Sequence, residues 1–355
     1  MIEVYFVAFA LALFVSFVAS FLVSRIAVRA NILDQPDSER RFHKKPVPLL
    51  GGFAIFISFF LVVFFVGVLA GYLLEGNIPM KILFGIFSGG LILMIGGYLD
   101  DKYRLPAGIS IIFPIVASLT LATSGISAVS IHNPFSGEII ILDKLLVFGL
   151  PVASGAIVFI WTMTMIYTTK LLDGMDGLVS GISAIASMIL FGLSLTSDVN
   201  QPQTALLAII FTGSLLGFLI LNFHPAKIFL GEAGSTFTGF ILAMLSIVSG
   251  GKIATALLVM GIPLLDALFV VAQRIFRKES PFHGDRKHLH FRLNEIGLSE
   301  SQTVLLLYVL SAVFGVSALF LQSLGKLLAL LIMAAFMGSI VTLVYVIHRV
   351  KRPNG

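Results

Sequence analysis

From Val4 to Ser24 the chain runs 21 residues without a charge. At about 1.5 Å per residue, a helix of that length crosses the roughly 30 Å hydrocarbon core of a bilayer. Inside lipid every backbone N–H and C=O must bond within the protein, which leaves only helices or closed barrels. Barrel strands would alternate over about ten residues, and these runs do not alternate. Similar runs lie near 49–71, 80–98, 105–123, 145–168, 177–196, 203–222, 236–250, 253–274, 303–323 and 327–348. The sequence therefore predicts an all-α polytopic membrane protein with about eleven transmembrane helices. The 236–250 run is short, so it is expected to tilt or to continue from the loop before it. The composition agrees: 58% of the 355 residues are hydrophobic and 12% charged, where a soluble domain carries about 25% charged residues.

Glu3, and no basic residue, precedes the first run, which reads as a retained span rather than a cleavable signal. The absence of cysteine excludes disulfides, thiolate metal sites, thiol nucleophiles and thiol-linked lipid anchors. "GISAVSIHNPFSGEIIILDK" carries Asn133-Pro134 and Ser136-Gly137 between alternating residues. That predicts a small β-hairpin near 126–143 on the membrane surface. The whole chain, 1–355, reads as one integral membrane domain.

Charge sets the orientation. Lys81, Lys144, Lys252 and Lys326 fall on one side of an eleven-span layout, leaving 19 of the 23 Lys and Arg on the other. The positive-inside rule makes the richer side cytoplasmic. The N-terminus and the hairpin then lie outside and the C-terminus inside. The cytoplasmic side holds the loops near 25–48, 99–104, 169–176, 223–235 and 275–302. It also collects twelve of the 18 Asp and Glu and six of the seven His. The rule explains basic residues but not acids and imidazoles, so the working face is cytoplasmic. The net charge of +5 is small for this length and calls for membrane lipid, not nucleic acid, as its partner. No internal repeat is apparent, so the inverted-repeat plan of many transporters has no support.

Five loops carry candidate chemistry. "GGYLDDKYRL" puts Asp100 and Asp101 where a span leaves the membrane, although helix C-termini disfavour negative charge. It reads as a solvated helix end, or as a pair that binds a cation or takes a proton. "LLDGMDGL" holds Asp173 and Asp176 three residues apart, with Gly174 and Gly177 suited to a turn that a ligand can approach. Mg²⁺ takes hard oxygen ligands and keeps substrate phosphates among them, so these acids at a span end fit it. "NFHPAKIFLGEAGSTFTGF" places Glu232 before Gly234-Ser235. Its small residues suit either a backbone nest for phosphate or close helix packing. "SPFHGDRKHLHFRL" concentrates His283, Asp285, Arg286, Lys287, His288, His290 and Arg292. It reads as a diphosphate clamp or as a basic loop drawn to anionic lipid. "DQPDSERRFHKKPVPLLGG" is a second cationic loop, containing Lys45. Asp266, in "GIPLLDALF", is an acid within a span. Such acids are functional by default; the alternative is a structural partner for a neighbouring helix.

Together, in this order from Asp34 to Arg292, these motifs resemble the polyprenyl-phosphate N-acetylhexosamine-1-phosphate transferase superfamily. "PAKIFLGEAGS" and "HLHFRL" look most like its bacterial undecaprenyl-phosphate GlcNAc-1-phosphate transferases. The resemblance implies ten or eleven spans in the bacterial cytoplasmic membrane and an active site on the cytoplasmic face. It implies that undecaprenyl phosphate attacks the β-phosphate of a UDP-N-acetylhexosamine, here UDP-GlcNAc, with Mg²⁺ as cofactor; the longer Glu232, where the resembled motif has Asp, makes the more permissive Mn²⁺ an alternative. It further implies a homodimer. Residue by residue, Asp100 assists the lipid phosphate and Asp101 stands beside it. Asp176 and Glu232 hold the metal, and Asp173 faces the nucleotide. Asn222 and Phe229 line the uridine pocket, Lys45 contacts the nucleotide, and His288, His290 and Arg292 hold the phosphates.

Three positions depart from the resembled motifs. Lys170 stands where Asn is usual, Glu232 where Asp is usual, and Phe291 where a His often follows "HLH". The alternative donor is UDP-MurNAc-pentapeptide or another N-acetylhexosamine nucleotide. From other classes, a non-catalytic binder or a transporter would share the composition. A transporter, however, should concentrate its polar groups at the bilayer midplane.

Overall fold

The apolar runs fold as helices, and their ends fall where charge or backbone chemistry stops them. The structure, a computed structural model, describes residues 1–36, 45–73, 78–126, 130–132, 139–141, 146–147, 150–249, 253–276, 278 and 288–351. The helices are α1 (Ile2–Arg29), α2 (Gly51–Val62, continued by wider π turns to Leu69), α3 (Met80–Tyr103), α4 (Ala107–Ser110), α5 (Ile112–Thr123), α6 (Val152–Leu172), α7 (Leu178–Ser194) and α8 (Pro202–Asn222). There follow α9 (Gly231–Val248), α10 (Ile253–Val259), α11 (Gly261–Phe276), α12 (Leu289–Glu295), α13 (Glu300–Phe320) and α14 (Ser323–Lys351). Among the described residues, seven helices are long and apolar enough to cross a membrane, or eight if α10 and α11, bent by 79°, form one span. The protein is therefore a multi-pass helical membrane protein. The expected spans near 105–123 and 177–196, and most of that near 327–348, appear as apolar helices of 10–17 residues.

Several expected boundaries move. The run near 80–98 extends to Tyr103, so Asp100 and Asp101 lie in the last helical turn of α3 rather than beyond it. The short run at 236–250 starts at Gly231, which gives α9 full length and puts Glu232 in its first turn. Lys170, expected in a loop, is helical. The run expected from 145 begins as helix only at Val152, because β5 (Leu146–Val147) and β6 (Leu150–Pro151) pair there first. The expected hairpin is present as β3 (Ser130–His132) against β4 (Ile139–Ile141), with Ile131 opposite Ile140. Its turn, with Asn133-Pro134 and Ser136-Gly137, lies outside the described residues.

Small residues set how closely the helices pack, as lipid supplies no hydrophobic drive between them. A Cβ on Gly213 or Gly217 of α8 would strike backbone of α1, at Phe9 O (2.5 Å) and Leu13 O (2.2 Å). Ser58 of α2 donates to Ala12 O of α1 at 2.7 Å and lies 3.1 Å from Ser214 of α8, binding three helices through buried hydroxyls. α9 sits at the centre, packed on α2, α3, α6 and α7, and is the most enclosed of the candidate spans. Trp161 of α6 donates to Ser246 of α9 at 2.8 Å. The first loop is pinched where β1 (Leu33–Asp34) pairs with β2 (Val47–Pro48). The chain then runs against the segment before α9: Phe229 donates to Pro48 O at 2.8 Å, and Gly51 to Phe229 O at 3.0 Å.

Candidate active site

One cavity of about 950 Å³ opens at the end of the bundle, where α3, α6 and α8 finish and α9 and α13 begin. Of the residues expected to form a site, Lys45, Asp100, Asp101, Asp173, Asp176, Asn222, Phe229 and Glu232 all line it. They come from four separate loops and are up to 187 positions apart in sequence (Lys45 to Glu232).

The two acids of α3 are held differently. Asp100 uses both carboxylate oxygens to fasten the chain that follows. Leu105 N–H donates to Oδ1 at 2.9 Å and the Ser110 hydroxyl to Oδ2 at 2.6 Å. Those bonds close a turn in which Arg104 takes a left-handed conformation, φ 52°. Asp101 accepts the Glu232 backbone N–H at 3.0 Å, while its Oδ2 is buried without a hydrogen-bond partner. The carboxylate thus sits at the positive N-terminus of α9. The nest expected there for phosphate is occupied by this chain's own acid. The small residues of "GEAGS" serve packing instead: a Cβ on Gly97 would meet Ala233 Cα at 2.2 Å, and one on Gly52 would meet Gly234 Cα at 2.3 Å. The Glu232 side chain turns to Lys170, whose ammonium donates to Oε1 in an ion pair between α9 and α6.

In the turn after α6, Asp176 meets two residues that the sequence reading did not assign. Its Oδ2 lies 2.9 Å from His224 Nδ1 and accepts Ala226 N–H at 2.9 Å. Its backbone N–H donates to Glu300 Oε1 at 3.2 Å, and Glu300 Oε2 lies 3.2 Å from His224 Nδ1. Gly174 and Gly177 make room for this chain's own side chains rather than for a ligand at the backbone. A Cβ on Gly174 would strike His290 Nε2 at 2.5 Å. Gly177, with φ 75°, offers its carbonyl to the Tyr308 hydroxyl. Asp173 opens into the cavity. Its carboxyl is nonetheless raised from 3.8 to about 8, first by desolvation among the cavity walls, then by the Glu232, Asp101 and Asp176 carboxylates. Part of its surface faces water in the cavity.

Asn222 is buried and spends its amide on the loop around it, accepting from Ser180 at 2.8 Å and donating to Ile228 O at 2.9 Å. That loop includes the cis His224–Pro225 peptide. Asn222 thereby shapes the wall on which Phe229 stands.

The histidine-rich segment lies behind this wall. His288, His290 and Arg292 are absent from the cavity lining among the described residues, whereas Phe291 is part of it. His290 is 1% exposed, and desolvation lowers its pKa to about 4, so the imidazole is neutral at pH 7. Arg292 lies over the Phe269 ring at 5.8 Å. Residues 279–287, with His283, Asp285, Arg286 and Lys287, lie outside the described residues.

Sequence reading missed Arg104, His224 and Glu300, which also line the cavity. Glu300 was legible only as an acid N-terminal to an apolar run. His224 had a signal, its place between Asn222 and Pro225.

The donor set suits a divalent cation. Cis ligands at bonds of about 2.1 Å stand about 3.0 Å apart in an octahedron. His224 Nδ1 now contacts both carboxylates directly, at 2.9 and 3.2 Å, and would give up those contacts to a bound ion. The ligand atoms of Asp176, His224 and Glu300 all lie within 4.8 Å of one another. Glu232, whose charge Lys170 balances, would join only by leaving that pair.

Acids, cations and an aromatic ring meet in this cavity at the end of a helical membrane bundle, the arrangement of a membrane enzyme's active site. Residues 83–250 match the glycosyl transferase family 4 model. The chain is 32% identical to a probable undecaprenyl-phosphate N-acetylglucosaminyl 1-phosphate transferase of Bacillus subtilis, over 89% of this chain and 85% of that one. It is 30% identical to a decaprenyl-phosphate N-acetylglucosaminephosphotransferase of Mycolicibacterium smegmatis, over 95% and 87%. It is 29% identical to an undecaprenyl-phosphate alpha-N-acetylglucosaminyl 1-phosphate transferase of Thermotoga maritima, over 86% and 87%. The chain belongs to glycosyl transferase family 4.

Proposed function

We propose that this protein transfers N-acetylglucosamine 1-phosphate from UDP-GlcNAc to undecaprenyl phosphate. A lipid phosphate oxygen bonds to the β-phosphorus, the bond to the α-phosphate oxygen breaks, and UMP leaves. Undecaprenyl diphosphate GlcNAc stays in the membrane as the first lipid-linked intermediate of a cell-envelope glycan. The observation that carries this is the cavity lined by acids, cations and apolar groups, set at the end of apolar helices. A lipid phosphate and a water-soluble nucleotide can meet only at such a place. Family membership and the names of the relatives support the same chemistry.

The hydrogen bonds suggest roles. Asp100 holds the turn that presents Arg104. Asp101 stands beside it and, by accepting the Glu232 N–H, fixes the start of α9 against the end of α3. A phosphate monoester is mostly ionised at pH 7, so placing it matters more than deprotonating it. Lys45 and Arg104 provide the cationic wall for the diphosphate, and Lys170 lines the same cavity paired with Glu232. Phe229 offers a ring for uracil and Asn222 fixes that wall. Asp173 faces the nucleotide. Asp176 and Glu300 would offer carboxylate oxygens to Mg²⁺, and His224 a nitrogen better suited to Mn²⁺; Glu232 would join on leaving Lys170. When bound, the metal neutralises charge on the diphosphate and polarises the phosphoryl oxygen.

The cavity also supports eleven spans in one domain. Asp100 and Asp173 line the same cavity, so an even number of crossings must separate them. α6 is long enough to be one, which leaves the α4–α5 segment as the other. The same parity between Asp176 and Asn222 supports α7 as a crossing together with α8. The basic-residue bias puts the cavity on the cytoplasmic face of the bacterial inner membrane. A homodimer belongs to the same reading.

The test is UMP release by the purified chain in detergent with undecaprenyl phosphate and Mg²⁺ or Mn²⁺. UDP-GlcNAc, UDP-GalNAc and UDP-MurNAc-pentapeptide are offered in turn. Lipid-dependent release with UDP-GlcNAc is expected; release only with another donor would reassign the sugar, and none from folded protein would refute the activity.

A further inference from the structure

Asp266 is an acid inside a membrane helix for which the proposed reaction has no direct use. It is 6% exposed and lies in α11 just past the bend from α10. Both oxygens are committed to the histidine-rich segment. Oδ2 lies 2.8 Å from His288 Nδ1, and Oδ1 accepts Leu289 N–H at 2.8 Å. The carboxylate therefore caps the first turn of α12 and fixes the proton of His288 on Nδ1. Burying a carboxylate is costly unless paired and hydrogen-bonded donors offset it, and here two do.

The contacts continue toward the cavity. The His288 and His290 rings are stacked, with centroids 5.6 Å apart and planes within 7°. His290 packs on Phe291 at 4.3 Å. Its Nε2, buried without a hydrogen-bond partner, abuts Gly174, where a Cβ would lie 2.5 Å away. The same Cβ would lie 3.1 Å from Phe291. Gly174 stands between Asp173 and Asp176, so α12 is the surface against which that turn is pressed.

We infer that Asp266 is a positioning residue: it fixes α12 through His288 and Leu289, and α12 holds the Asp173–Asp176 turn in place through His290 and Phe291. As a statement about catalysis this rests on the cavity being the active site.

The experiment uses the full chain in detergent, with UDP-GlcNAc and undecaprenyl phosphate. Asp266→Ala is expected to lower kcat by about 10- to 100-fold, since a displacement of about 1 Å in a reacting group costs on the order of 10²-fold, with little change in the KM for undecaprenyl phosphate. Asp266→Asn, which keeps one acceptor, should fall between and serves if the alanine variant does not fold. His288→Asn, whose amide replaces Nδ1–H, should retain more kcat than His288→Leu. An independent readout is diethylpyrocarbonate modification of His290, located by mass spectrometry. It should be slow in the wild type and faster in Asp266→Ala. Wild-type kcat in a folded Asp266 variant, or reduced kcat with His290 still protected, would overturn the inference. If the wild type releases no UMP with any donor, the proposed activity fails, and His290 protection alone then decides whether Asp266 holds α12.

Discussion

Gly97 joins packing to catalysis most directly. A methyl group there would sit 2.2 Å from Ala233 Cα and 2.3 Å from its nitrogen, where ordinary contact begins at 3.4 Å. Gly97→Ala therefore forces α3 and α9 apart by about 1.2 Å, the difference of those two distances. Asp101 is one turn further along the same face of α3 and holds the Glu232 N–H at 3.0 Å. Rigid separation would stretch that bond to about 4.2 Å, beyond hydrogen-bonding range. Overpacking of this kind costs about 1–3 kcal/mol, and a shift of about 1 Å in a reacting group costs on the order of 10²-fold in rate. Gly97→Ala should thus remain folded, melt at a lower temperature and lose about 100-fold in kcat. Gly155→Ala is the control: on α6 its methyl meets nothing within 4 Å, so it should be neutral or stabilising by up to about 1 kcal/mol. UMP release and thermal unfolding in detergent measure both. Wild-type kcat and melting in Gly97→Ala would refute the claim that this contact sets the Asp101–Glu232 geometry.

Lys170→Met strips the charge partner from Glu232, whose side chain is only 19% exposed. The expected loss is about 1.5–3 kcal/mol, mostly recovered in Lys170→Met/Glu232→Gln; additive losses in the double-mutant cycle would mean that the pair contributes nothing. Asp173 has a folded pKa of about 8 against 3.8, so the folded protein binds that proton more tightly. Stability from this group is full below about pH 4 and is lost as pH rises through about 8. In metal-free buffer Asp173→Asn should melt above the wild type near pH 9 and with it below pH 4; a gap that did not change with pH would argue against the shift. The chain has no cysteine, which permits single-cysteine topology mapping. Asp198→Cys should react with an impermeant maleimide on intact cells and Lys278→Cys only after permeabilisation; the reverse would invert the orientation.

How much of the site was legible varies residue by residue. Asp100, Asp101, Asp173, Asp176 and Glu232 stood out because a charge beside an apolar run is costly, and each does line the cavity. Their partners did not stand out. Nothing local tells Glu232 that its counter-charge is Lys170, 62 positions earlier. Nor does anything local tell Asp176 that His224 and Glu300 will close on it. His288 and His290 looked like cations for phosphate. The structure packs them behind the wall, because Asp266 draws one and Gly174 admits the other.

The sequence by itself determined that this is a multi-pass helical membrane protein and which loops hold its charge. Those properties follow from transfer energies and spans counted along the chain, which need no knowledge of neighbours. Only the tertiary structure decided which carboxylate oxygens accept hydrogen bonds and from which groups. Asp100 and Asp101 are adjacent and chemically identical. One is bound at both oxygens by the turn after it, and the other keeps one oxygen without a partner. A hydrogen bond depends on distance and angle between groups that only packing brings together, and here that packing is set by Gly97 and Gly52 letting α9 come close.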